Sequence, residues 1–145
     1  MIKNNQPINI FEDGKESRDF VFIDDVVAAT VAGIEMDSAN GEVFNVGTGV
    51  ATTVLEVAKS LIDGYGKNVD LYVSGDFRVG DIRHNFADVV KLKEKLNVVP
   101  LVPFSEGIKK FIDWVNDQNF SLIDYKKSRV FWVLSSLSHC CCIKA

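Results

Sequence analysis

The stretch EVFNVGTGVATTVLEVAKSLI, Glu42 to Ile62, decides the architecture. Val43 to Val46 is a short apolar run of β-forming residues, as expected of a buried strand. The glycines of GTG then permit a tight turn, and Thr53 with Glu56 three residues on fits a capping box opening a helix. Val54, Ala58, Leu61 and Ile62 form the apolar stripe of that helix. A strand, a glycine turn and a helix in direct succession point to an α/β or α+β domain.

The same alternation extends in both directions. Upstream, Ile8 to Phe11 alternates as a strand does, Glu12 to Lys15 carries an Asp-Gly turn signal, and Phe20 to Ile23 reads as a second, continuous apolar strand. Asp24 or Asp25 is placed to cap a helix over Val26 to Met36, which is apolar almost all round and so expected to be buried on more than one side. Asp37 to Glu42 reads as a loop. Downstream, Asp70 to Val73 reads as a strand, and Asp88 can cap a short helix with Val89, Leu92 and Leu96 inward. Beyond Pro100 and Pro103, Ser105 can cap the helix with the clearest period, in which Phe104, Ile108, Phe111, Ile112 and Val115 share one face. The count is four to five helices with short strands. After residue 118 the pattern is lost, and 119–145 reads as an atypical tail outside the fold formed by 1–118.

The chain has 145 residues, 47% of them hydrophobic and 25% charged, with a net charge of −4. That is one globular domain with room for a moderate core. An acidic balance argues against nucleic acid, whose phosphate backbone needs a basic surface. No run reaches the roughly 18 apolar residues that a spanning helix requires, and no signal peptide follows Met1, so a cytoplasmic protein without membrane contact is expected. Cys140, Cys141 and Cys142 are adjacent, which suits neither a disulfide framework nor a metal site. The terminal Cys-Ile-Lys-Ala has the outline of a prenylation box at Cys142, but lysine stands where an aliphatic residue belongs.

Chemistry concentrates in FRVGDIRHNFAD, Phe77 to Asp88. Of the four arginines, Arg78 and Arg83 lie there and Arg18 lies in ESRDF, while twelve lysines are spread elsewhere. A guanidinium fork matches two phosphate oxygens at once, which an ammonium does not. Two readings stand open: an anion site, or loop ion pairs in which Arg18 meets Asp19 or Asp24 and Arg78 meets Asp81. The turn after Asn45 could offer its amides to an anion at a helix N-terminus, although glycines that merely permit the turn explain it more simply. His84 has no visible partner for catalysis. Asp24 and Asp25 suit a helix N-terminus better than a metal pair.

RDFVFIDDVVAA (18–29), EVFNVGTG (42–49), FRVGDIRHNFAD (77–88) and FSEGIKKFIDWV (104–115), taken in this order, resemble the C-terminal portion of extended short-chain dehydrogenase/reductases. The nearest type is the nucleotide-sugar epimerases and dehydratases like UDP-glucose 4-epimerase, followed by dTDP-rhamnose and other sugar 4-epimerases. The resemblance implies that Arg18 and Arg78 contact the diphosphate of a UDP- or dTDP-linked sugar. It implies that Asp81 helps hold the ribose or orders the loop. Val79 departs from the family's usual Pro or Glu and leaves the Arg-Gly-Asp frame intact.

The resemblance further implies NAD as the cofactor of full-length relatives and a homodimeric state for them. The family's TGxxGxxG loop and YxxxK pair do not occur here; Tyr65, Tyr72 and Tyr125 are followed four residues later by Val69, Asp76 and Arg129. The expectation is therefore a substrate-binding portion with no catalytic, cofactor-binding or metal residues of its own, beginning at an internal methionine and inactive alone. The alternatives are a non-catalytic sugar-nucleotide binding module, or a fragment acting through its tail at a membrane or partner. Since such a portion leans on the Rossmann sheet in the family, Val26 to Ile34 is expected to present uncovered apolar surface and the chain to self-associate.

Overall fold

The computed structural model of the chain describes residues 1–118 and the backbone strand 142–144. Short strands alternate with helices: β1 (Ile8–Ile10), β2 (Ser17–Arg18), α1 (Ile23–Glu35), β3 (Val43–Asn45), β4 (Thr52–Thr53), α2 (Val54–Tyr65), β5 (Leu71–Val73), α3 (Val90–Leu96), α4 (Phe104–Asp117) and β6 (Cys142–Lys144). It is a mixed α/β fold with four α-helices among the described residues. The strands pair in twos. β1 lies parallel to β5, with Ile8 opposite Leu71. β2 lies antiparallel to β4, and β3 antiparallel to β6.

The capping box forms as its residues dictate. Glu56 N donates to Thr53 Oγ1 at 3.2 Å and Thr53 N donates to Glu56 Oε2 at 2.7 Å, so two orphan amides are satisfied reciprocally. The Thr53 amide also holds the Glu56 carboxyl below its usual range. The other caps differ from expectation. Phe22 stands at the cap position of α1 and Pro103 at that of α4, neither with a side-chain cap bond. Ser105 lies within the first turn of α4. Asp88 stands one residue ahead of the cap position of α3, yet still accepts from Val90 N at 3.0 Å. The loop expected over Asp37 to Glu42 opens with one 3-10 turn, Asp37–Ala39.

Phe20 to Ile23 is not a strand. Its aromatic rings turn to α4 instead: Phe20 meets Phe104 with centroids 5.8 Å apart, and Phe22 lies under Lys110 Nζ at 5.0 Å. The strand in this region is the polar pair Ser17–Arg18, whose partners Thr53 and Thr52 are also polar. Aromatic burial against a helix outweighs β-propensity here.

The main core lies between α1, β3 and α3. Ala29, Ala39, Phe44, Val46, Leu92 and Leu96 are buried there, with Val26, Ala32 and Val98 against them. Ile10, Ala58, Val69 and Ile112 are buried as well. Gly64 of α2 leaves space for Ile112 of α4, where a Cβ would collide with the isoleucine methyl. Lys3 Nζ donates to the last carbonyls of α4, Val115 O at 3.5 Å and Asn116 O at 3.4 Å, and Lys67 Nζ donates to Lys3 O at 2.6 Å. A cation at a helix C-terminus is favoured by the unpaired carbonyls there.

α1 is buried on one side only. Ala29 faces the core, while Ile23, Val27, Val31 and Ile34 are 62%, 52%, 44% and 80% exposed and recur on one helical face. A stripe of that kind is an association liability. The chain is expected to show a mass that rises with concentration in light scattering, and the double substitution Val27→Lys and Ile34→Lys to reduce it. A monodisperse wild-type monomer would contradict this. No helix among the described residues is long and apolar enough to cross a membrane.

Candidate functional site

The segment 83–87 continues the β2–β4 pair on its open side. Ser17 N donates to Arg83 O at 2.9 Å and Asn85 N to Ser17 O at 3.0 Å, forming a parallel bridge between Ser17 and His84. Ser17 Oγ and His84 Nδ1 stand 2.9 Å apart. The loop before this segment is fixed at its other end, where Glu12 N donates to Asp76 O at 2.7 Å and Ser74 N to Ile10 O at 3.0 Å. Residues 77–82, with Arg78 and Asp81, thus span two anchored ends. Phe77 and Val79 on this span are 70% and 93% exposed.

The structure brings Arg18 and Asp81 together. Arg18 Nη2 donates to Asp81 Oδ1 at 2.7 Å, and Nη1 donates to Ser17 O at 2.8 Å and Arg83 O at 3.2 Å. The pairings of Arg18 with Asp19 or Asp24, and of Arg78 with Asp81, are therefore not the ones formed. Three of the five N–H groups of Arg18 are used in these bonds. Asp81 Oδ1 also accepts from Ile82 N at 2.9 Å, and the Asp81 backbone N–H donates to Arg78 O at 3.2 Å, closing the turn that carries Arg78.

Arg78 lies over the ring of Phe11, its Cζ 5.4 Å from the centroid. It forms no ion pair among the described residues. An aromatic face holds a guanidinium in place without using its N–H donors. Arg83 differs: it meets Asp13 at 2.6 Å, Glu12 at 3.1 Å and Glu16 at 3.9 Å. Its guanidinium holds the Asp13 carboxyl below the usual range. The Glu12 carboxyl is instead pushed up, chiefly by its contact with Glu16 and then by burial. Three carboxylates surround this one cation, so its charge is compensated within the chain. Of the three arginines in the region, Arg78 is the one with a free charge.

The glycine turn is occupied from within. Thr48 N donates to Asp19 Oδ1 at 2.8 Å, Thr48 Oγ1 to the same oxygen at 2.6 Å, Gly49 N to Oδ2 at 2.8 Å and Ala87 N to Oδ2 at 3.2 Å. The anion bound by this turn is the Asp19 carboxylate. Sequence reading considered Asp19 only as a partner for Arg18; the signal for its real role was a turn rich in free amides, with no indication of which acid would reach it. Asp25 plays a similar part elsewhere, accepting from Leu101 N at 2.9 Å and Val102 N at 3.2 Å from within the first turn of α1. No group of acidic, His or Cys side chains suited to a metal occurs among the described residues. Arg129 and the rest of 119–141 lie outside the described residues.

Residues 1–47 match the NAD dependent epimerase/dehydratase family. The chain is 33% identical over 115 residues to a dTDP-L-rhamnose 4-epimerase from Burkholderia thailandensis, covering 79% of this chain and 31% of that protein. It is 32% identical over 126 residues to a UDP-glucuronate 4-epimerase from Thermodesulfobacterium geofontis, covering 84% of this chain and 37% of the relative. Among solved structures, UDP-glucose 4-epimerase from Thermotoga maritima with UDP-glucose superposes at a TM-score of 0.73 and 36% identity, over 80% of this chain and 36% of that one. UDP-glucuronic acid 4-epimerase from Bacillus cereus, in complex with UDP-glucuronic acid and NAD, gives 0.73 at 29% identity, over 79% of this chain and 37% of that one. The chain spans about a third of the length of these relatives. Over about a third of their length, then, these epimerases share this chain's sequence and fold, and its residues 1–47 match the NAD dependent epimerase/dehydratase family.

Proposed function

We propose that residues 1–118 are the sugar-nucleotide-binding portion of an NAD-dependent nucleotide-sugar 4-epimerase, and that they hold the ligand's diphosphate. The reading rests on one observation above all. Arg78 is an exposed guanidinium over the Phe11 ring with no ion pair among the described residues, on a turn linked through Asp81 to an Arg18 that keeps two N–H groups beyond its internal bonds. Arg78 supplies the main contact and Arg18 the second, with Asp81 ordering the loop that carries Arg78 and pairing with Arg18. The UDP-sugars named for the related structures favour UDP over other carriers. A cytoplasmic setting suits that ligand.

The residues present do not suit NAD. The glycine turn at 47–49, between β3 and β4, could have offered its amides to a pyrophosphate, but they are committed to Asp19. No step of hydride chemistry is therefore assigned to this chain, and by itself it is expected not to convert UDP-glucose to UDP-galactose. Conversion by the purified chain would overturn that part. Binding is tested by calorimetry with UDP. Arg78→Ala should weaken affinity by about 1.5–3 kcal/mol, the range for a hydrogen bond to a charged group. Equal affinity of the two proteins would sink the diphosphate reading.

A further inference from the structure

We propose that Asp19 is a positioning residue that sets the geometry of the phosphate-binding arginines; the inference rests on the diphosphate reading. Asp19 follows Arg18 directly where the chain leaves β2. Neighbouring side chains of an extended segment point to opposite sides. Arg18 reaches the 78–83 loop through Asp81 and Arg83 O. Asp19 reaches the other way, to Thr48, Gly49 and Ala87. One carboxylate so fastens three stretches that are remote in sequence. One of them, at Ala87, is the far end of the segment whose near end carries Arg78.

The contacts form a continuous series. Ala87 N is held by Asp19, Asp19 is bonded in the chain to Arg18, Arg18 holds Asp81, and Asp81 N is bonded to Arg78 O. The carboxylate has about four acceptor sites, and the Thr48, Gly49 and Ala87 donors fill them. Gly47 leaves no slack beside it, since a Cβ there would stand 2.5 Å from Asp19 Oδ2 and 2.6 Å from Ala87 Cβ. With the base of the segment fixed, residues 77–82 have few ways to move Arg78 relative to Arg18. Preorganised donors bind a ligand more tightly because less ordering remains to be done on binding.

Asp19→Asn tests this. The amide keeps the shape but places an NH₂ donor against backbone N–H donors. The full chain is titrated with UDP by calorimetry, and with uridine, which has no phosphate for the arginines to hold, by NMR shift changes. Asp19→Asn is expected to lower UDP affinity at least tenfold and to leave uridine affinity within twofold, while amide exchange rises at Thr48, Gly49 and Ala87. Unchanged UDP affinity, or an equal fall for UDP and uridine, overturns the proposal. If Asp19→Asn fails to fold, Thr48 decides: Thr48→Ala should weaken UDP several-fold and Thr48→Ser restore it, and no difference between those two would overturn it. Arg78→Ala is measured alongside. Wild-type affinity in that variant removes the diphosphate reading itself, whereas a weakened Arg78→Ala beside an unaffected Asp19→Asn removes only the role of Asp19.

Discussion

Phe44→Ala should destabilise the chain by about 3–5 kcal/mol, the cost of an aromatic truncation in a packed core. Phe44 is 1% exposed and fills the space between α1, β3 and α3. Two of its buried neighbours are Ala29 and Ala39, whose methyl groups are too short to reach into the void it would leave. Leu92 and Leu96 line the same cluster, so a cavity there would remain largely open. A loss of this size is a large share of the roughly 5–15 kcal/mol available to a domain. At about 2–4 °C per kcal/mol for a chain of this size, the melting temperature should fall by on the order of 10 °C. A fall of under about 2 °C would show that the cluster is not the core.

The second large effect is expected at Gly47. Any side chain there enters the Asp19 carboxylate and the Ala87 methyl at once, at 2.5 and 2.6 Å, distances at which one of them must move. Both are tied: Asp19 by the hydrogen bonds it accepts from Thr48 and Gly49, and Ala87 by the hydrogen bond its backbone N–H donates to Asp19. Gly47→Ala therefore breaks charge-assisted hydrogen bonds as well as packing, and should cost on the order of 3 kcal/mol. Gly33→Ala has the opposite sign. It lies within α1 with nothing within 4 Å of the added methyl, so the gain in helix propensity should stabilise the chain by up to about 1 kcal/mol. Urea midpoints of the two variants moving in the same direction would contradict this account.

What could be read in the sequence was what neighbours decide among themselves. The capping box of Thr53 and Glu56, the strand read over Val43 to Val46 and found at Val43–Asn45, and the amphipathic period of α4 depend on residues within a few positions of each other. The contacts that build the site are remote. Asp19 meets residues 29 and 68 positions away, Arg18 meets Asp81 63 positions away, and Asp25 meets Leu101 76 positions away. Asp24 and Asp25 illustrate the limit: local rules favour an acid as a helix cap, whereas the fold uses Asp25 to secure a loop that only tertiary structure brings near. Ser17–Arg18 was missed as a strand because its pairing partners, not its own residue types, make it one. The four ordered motifs still located the arginine loop, because a resemblance carries remote information that periodicity does not.

The Lys3 clasp on α4 has a consequence for how the chain comes to be folded. Its ammonium and the carbonyls it serves are 112 and 113 residues apart, and β1 waits for β5 at Leu71 in the same way. During synthesis, residues 3–10 emerge well before the segments they contact. α1 and α2 can coil early, but β1 cannot pair until β5 is available, and the Lys3 clasp cannot close until α4 is. Closure of such long loops before any contact rewards it makes assembly slow. Both contacts therefore form late relative to the local coiling of α1 and α2.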